Sequence, residues 1–318
     1  MAYLPFYITP EELALKQKKQ EQQFYEGDNV HTWKKYDVEE SFRYKFLCLS
    51  IAPVIPFLIF TFFVGFWDGS WLQHFASICV VLFIFSISYV TLGLDFKYNY
   101  TFSDKGFIVK KRRNIPKWMN TATQVVGWFG VVVCIFMVLS VGPIAFLGAG
   151  GFILLSFGLI KRRPDEITEI KVGEREDWLF AYYNKKRKVI RFYHKYDECS
   201  KRDLKKNTVF RAQTRGYSYI FFRTVQDLDA MLETLSNKYG IECIDFPDHK
   251  AFFEGRPEPR IEDIPSRSLE FPVADTFDLR AQSAPLPEWR RIYNGKWQTE
   301  SEIERLKAAG EQQATPAS

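Results

Sequence analysis

The five cysteines and four histidines carry the most chemical potential in this 318-residue chain, and their spacing gives it no outlet. Cys48, Cys79, Cys134, Cys199 and Cys243 stand far apart, with no CxxC pair, and the first three lie in apolar runs. That pattern excludes a disulfide framework and argues for no oxidising compartment. His31, His74, His194 and His249 are scattered, and no His/Cys/Asp/Glu group has metal-ligand spacing. Neither a metal nor any other cofactor is expected. Gly148-Ala149-Gly150-Gly151 is not a phosphate loop, because no strand precedes it and no Lys-Ser/Thr follows. No His, Cys, Ser or carboxylate set clusters as a catalytic site would, so no catalytic residue is expected and the chain reads as non-enzymatic.

Chemistry therefore falls to charge. Lys110, Lys111, Arg112, Arg113 and Lys117 follow a β-like segment, and Lys161, Arg162 and Arg163 close a long apolar run. Such clusters act as topology signals, and they suit contact with the anionic headgroups of an inner leaflet. A second set, Lys185, Lys186, Arg187, Lys188, Arg191 and Lys195, reads as a solvated rim or a leaflet-facing surface. No nucleic-acid motif accompanies the charge, so no nucleic-acid partner is expected. His74 is ionisable within an apolar run but lies near its end, where it costs little.

The elements that would position these groups begin with the apolar runs. Residues 46–67 and 71–94 contain no Asp, Glu, Lys or Arg, and neither does 118–160, which Val141-Gly142-Pro143 divides. About 20 apolar residues cross a bilayer core, so four spans are expected, near 46–67, 71–94, 124–140 and 144–160. Lys and Arg flank the runs on one side only. Both termini are therefore expected in the cytoplasm, with the protein multi-pass in the inner membrane. Ala145, Gly148, Ala149 and Gly151 give the last span a small-residue side for close helix packing, within the chain or between copies in a homo-oligomer.

Outside the runs the periodicities change. Thr9-Pro10-Glu11-Glu12 has the cap, first-turn proline and capping box of a helix start. Tyr98, Tyr100 and Phe102 alternate with polar residues, Ser103 to Gly106 offers a turn, and Phe107-Ile108-Val109 returns, which predicts a β-hairpin. An isolated hairpin cannot hide three aromatic rings, so it must join a sheet. Residues 167–172, 178–184, 189–194, 208–213 and 217–222 read as further strands, with turns near 185–187 and 214–216. Thr224 caps a helix whose apolar face is Val225, Leu228, Met231, Leu232 and Leu235, and Gly240 stops it.

Tyr100-Thr101-Phe102-Ser103-Asp104-Lys105-Gly106-Phe107, Glu166-Ile167-Thr168-Glu169-Ile170 and the closing helix resemble motifs of bacterial membrane-anchored proteins with a PH-like domain, over residues 46–240. The resemblance implies a membrane α+β protein. It would have four transmembrane helices and a cytoplasmic PH-like antiparallel β domain with a C-terminal helix, a transmembrane hairpin being inserted after the first β-hairpin. The expected layout is a helical segment at 1–45, membrane hairpins at 46–94 and 118–160, a β-hairpin and basic loop at 95–117, the PH-like domain at 161–245 and a Pro-rich tail at 246–318.

In the tail, Trp289, Ile292, Tyr293 and Trp297 precede a short helix that Thr299 and Glu302 would cap. These aromatics are too apolar to serve as a passive extension, and they suit docking on the chain's own domain or on an unknown protein partner. The function these features imply is an inner-membrane scaffold or binding protein that organises a membrane-associated assembly. The alternative is a subunit of an oligomeric channel or a transport or secretion complex.

Overall fold

The computed structural model describes residues 4–52, 94–115, 168–203 and 207–314, with scattered positions from 54 to 131. The chain forms two compact units, one of Met1–Arg43, Tyr98–Lys111 and Glu169–Ser318, the other of Tyr44–Lys97 and Arg112–Thr168.

In the first unit, four strands follow one another across a sheet: β1 (His31–Asp37), β2 (Phe96–Phe102), β3 (Gly106–Arg113) and β4 (Glu169–Glu174). The expected hairpin is β2 and β3. The Ser103 amide donates to the Gly106 carbonyl at 2.8 Å and closes the turn. β3 runs antiparallel to β4, with Phe107 opposite Gly173 and Val109 opposite Lys171, so the hairpin does pair with a strand from beyond residue 165. A second sheet has the order β8-β5-β6-β7-β9, built from β5 (Trp178–Asn184), β6 (Val189–Asp203), β7 (Thr208–Phe221), β8 (Cys243–Asp245) and β9 (Arg267–Pro272). β6 and β7 pair antiparallel from Val189–Phe221 to Asp203–Thr208. Residues 214–216, expected as a turn, therefore lie within β7. Gly216 serves a different purpose there: a Cβ would sit 3.1 Å from the Tyr196 ring, so the missing side chain makes room for that ring. β9 comes from the Pro-rich tail, and Pro272 ends it at the sheet edge, where a missing N–H is tolerated.

The two sheets meet through aromatic side chains. Phe107 of β3 packs edge-on against Phe192 at 5.1 Å and His194 at 4.9 Å, and Trp178 lies 5.1 Å from Phe102 and 5.2 Å from Phe192. The buried Tyr100 hydroxyl donates to the Tyr219 carbonyl at 3.1 Å and accepts from the Phe221 amide at 3.2 Å, which joins β2 to the end of β7. Helix α1 (Pro10–Tyr25) carries the expected capping box between Thr9 and Glu12. The short helix α2 (Lys45–Ile51) belongs to the second unit. α3 (Val225–Glu233) has the Thr224 cap, and it buries Leu228 and Met231. Gly240 follows with φ +64°, the left-handed conformation of a helix stop.

One member of the expected solvated rim, Arg191, is inside, and Lys185 and Lys186 are exposed. Arg191 of β6 is buried among the rings of Tyr182, Tyr193, Tyr217, Phe246 and Phe252, each 5.0–5.7 Å from its guanidinium, and it donates to the Phe252 carbonyl at 2.8 Å. Arg211 of β7 is fully buried. It donates to the carbonyls of Phe6 at 2.9 Å and Pro5 at 3.3 Å, and it pairs with Asp197. This clamp seats residues 4–8 on the far half of the β6–β7 hairpin, where Phe6, Tyr7, Ile8 and Leu13 form a core with Cys199, Val209 and Phe271.

The expected membrane architecture is corrected. Among the described residues no helix is long and apolar enough to cross a membrane. The described start of the first expected span is helical, as α2 (Lys45–Ile51). The remainder of the four expected spans falls largely outside the described residues. The expected multi-pass inner-membrane location is left without a described helix long and apolar enough to carry it. The described fold is α+β, with a four-stranded and a five-stranded sheet. The four-stranded sheet takes β1 from a polar N-terminal segment, and the five-stranded sheet takes β9 from the tail, so neither sheet is confined to the expected 161–245 domain.

Two stability predictions follow from the buried groups. Replacing Arg211 by Ala takes a donor from several carbonyls and the cation from Asp197, to which Gln213 still donates at 3.3 Å, and should cost about 3–5 kcal/mol in denaturant unfolding. His194 is fully buried, and because the Lys195 carbonyl can only accept, Nδ1 carries the proton and Nε2 faces the Ser218 hydroxyl at 2.9 Å. Burial pushes its pKa down to about 4. The unfolded chain takes up a proton that the folded one refuses, so this residue's contribution is complete above about pH 6.5. It shrinks by about 3 kcal/mol as pH falls to about 4. Asp177, pushed up to about 6 by burial and by Glu174, has the opposite slope, so the test is a comparison. The stability gap between the wild type and His194→Gln should narrow as pH falls from 6.5 to 4.

Candidate functional site

The site is built around β1, an edge of the four-stranded sheet. Its sequence, His-Thr-Trp-Lys-Lys-Tyr-Asp, alternates so that Thr32, Lys34 and Tyr36 are exposed while Trp33 turns inward. The Trp33 indole is stacked between Tyr100 at 5.0 Å and Phe222 at 5.4 Å, and its Nε1–H donates to the Phe221 carbonyl at 2.9 Å. One side chain thus fixes the edge strand to both sheets. At the strand's end the buried Asp37 carboxylate meets Arg187 at 3.0 Å and Arg43 at 3.3 Å. Arg187 also donates to the Ser41 carbonyl at 2.9 Å and lies 4.8 Å over the Phe253 ring.

A cavity lies on either side of β1. The first, about 560 Å³, is bounded by Trp33, Phe102, Phe222, Met231 and Tyr239, with His31, Arg223, Asp227 and Lys238 at its rim. It runs between β1 and α3. The second, about 400 Å³, lies under α1 and is lined by Tyr25, Glu21, Lys34, Asn99, Thr101 and Lys110. Thr32, Trp33 and Arg223 line both. In the second, Lys110 is held by Glu21 at 2.6 Å, and the buried Asn99 Oδ1 has no hydrogen-bond donor among the described residues.

The candidates read from the sequence are distributed differently. Lys110 and Lys111 sit on β3 and are paired, with Glu21 at 2.6 Å and Glu39 at 2.7 Å. Arg112 and Arg113 end that strand. Lys117, Lys161, Arg162, Arg163, Ala145, Gly148, Ala149 and Gly151 lie outside the described residues. The tail folds on its own unit. β10 (Arg290–Tyr293) and β11 (Lys296–Thr299) form a hairpin with Ile292 opposite Trp297, turning at Asn294-Gly295 with φ 51° and 71°. Ser266, just before β9, bridges to Arg290. Arg215 lies 4.3 Å over Trp297 and Arg267 4.3 Å over Trp289, beside a third cavity of about 570 Å³. Thr299 and Glu302 form the expected capping pair of helix α4 (Glu300–Ala314). Trp33 was overlooked in the sequence because one apolar residue among lysines gives little periodic signal; the alternation of the 31–37 stretch was the available cue.

A model of the TsiV2 immunity protein family matches residues 14–240. The chain belongs to that family. The TsiV2 match includes both cavities around β1 and stops before the tail hairpin. The chain is also similar to Immunity protein TsiV2 of Vibrio cholerae serotype O1 (El Tor Inaba N16961), with 32% identity over 113 residues, 36% of this chain and 46% of that protein. It therefore spans about half the length of this curated relative. No solved structure matches. TsiV2 membership replaces the resemblance to PH-like membrane-anchored proteins, whose short strand motifs occur wherever aromatic hairpins turn at Ser-Asp-x-Gly. It also overturns the inner-membrane scaffold and the channel or secretion subunit, both of which rested on the expected spans.

If Trp33 ties β1 to the sheets, Trp33→Phe should keep the stacking, lose the bond to the Phe221 carbonyl and cost about 1 kcal/mol. Trp33→Ala should cost about 3 kcal/mol or more. Urea unfolding of the two variants checks the order.

Proposed function

We propose that the chain is a non-catalytic binding protein that protects its producer by occupying a toxin. The observation that carries this reading is the immunity-family match over residues 14–240, which takes in the four-stranded sheet and most of the five-stranded one. The physical character of the site supports it. An exposed edge strand flanked by two cavities is a surface for a protein partner, since main-chain groups supply affinity and cavities select side chains. Arginine-stacked Trp289 and Trp297 provide rigid aromatic area of the kind that anchors interfaces, and they form a second contact surface of this chain beyond the family match.

The test is a competition between siblings. A producing strain that lacks this gene should be killed by its wild-type siblings, and the chain expressed from a plasmid should restore its survival. Equal competition by the deletion strain, with or without the plasmid, would remove the reading.

A further inference from the structure

Resting on that reading, we infer that the toxin is held by β-strand addition at β1. An extended segment of the toxin would pair with the outer edge of the strand, placing apolar side chains in the cavity beside α3 and acidic or polar ones in the cavity beneath α1.

The backbone shows which groups face outward. A strand residue's N–H and C=O point to the same side, and the side alternates along the chain. The Lys34 carbonyl accepts from Arg223 Nε at 3.3 Å and the Tyr36 carbonyl from Arg43 at 3.3 Å. Thr32, Lys34 and Tyr36 thus face away from β2, and among the described residues β2 is the only strand neighbouring β1. The two arginines cap the open ladder as side chains cap many edge strands, and a pairing strand would take their place.

The cavities supply the side-chain rule. Successive residues of a strand point to opposite faces, and so do His31, which lines the first cavity alone, and Lys34, which lines the second alone, while Thr32, Trp33 and Arg223 line both. An incoming segment set against Thr32 to Tyr36 therefore alternates between them. The cavity beside α3 has rings and Met231 for walls and favours aliphatic or aromatic residues. The other presents Lys34, Lys110 and Arg223 against one carboxylate, Glu21, and favours Asp or Glu. The Asn99 Oδ1 in that cavity lacks a donor, which a Ser, Thr or Asn of the segment would provide. The matching partner is an extended acidic segment with apolar residues at every second position.

The experiment uses the sibling competition with two kinds of variant. Lys34→Pro removes an outward N–H and leaves pairing with β2 intact, a substitution edge strands tolerate. Ala230→Trp fills the cavity beside α3. Both should keep the wild-type melting temperature and lower survival to that of the deletion strain. If Lys34→Pro melts lower, the exposed double change Lys34→Glu with Arg223→Glu replaces it and should abolish protection by charge. Full protection by folded variants of both kinds overturns strand addition and leaves the immunity reading standing. A wild-type chain that fails to protect overturns both.

Discussion

The buried hydroxyl of Tyr100 is the contact on which the binding face depends. It donates to the Tyr219 carbonyl and accepts from the Phe221 amide, so a side chain of the four-stranded sheet completes hydrogen bonds at the end of a strand in the other. A buried polar group stabilises when all its bonds are made and costs when one is lost. That bond positions the Tyr100 ring, Trp33 stacks on the ring, and Trp33 holds β1. The edge strand is thus presented by the core and not by a loop, which keeps its outward groups in register for a partner.

Buried and half-buried arginines play a related role at the periphery. Arg187 gathers the chain after β1 onto the β5–β6 turn, Arg211 seats the N-terminal segment, and Arg215 and Arg267 receive the tail tryptophans. In each case a guanidinium satisfies backbone carbonyls or faces a ring, a geometry that suits the planar, five-donor group better than an ammonium. Segments distant in sequence are joined to the sheets at these points, so the unit closes without a disulfide among the described cysteines.

This also explains which parts were legible in the sequence. The β2–β3 hairpin, the α1 and α3 caps and the terminal capping pair were readable, since each depends on neighbouring residues: Tyr98-Tyr100-Phe102 alternation, Thr9 with Glu12, Thr224, and Thr299 with Glu302. Long-range partners were not. A stretch such as Lys185 to Lys195 looks solvated until Arg187 and Arg191 find carbonyls and rings more than fifty residues away. Gly216 looked like a turn, although its small size serves Tyr196 across the ladder. Charge-free runs between basic flanks suggested membrane spans and, through them, a scaffold. Hydropathy measures composition within a window and carries no information about the protein's partner. The candidate site itself was almost invisible, because an edge strand of mixed charge has no motif.

The central claim is that β1 and its two cavities form the face that meets the toxin. Backbone hydrogen exchange of the purified chain, alone and with the toxin it is proposed to occupy, tests this most directly. The account predicts that binding slows exchange across residues 29–37, with the outward amides of Thr32, Lys34 and Tyr36 most affected, and across 225–239 of the adjoining helix. Protection confined to the tail hairpin, residues 289–299, with no change at 29–37, would contradict it.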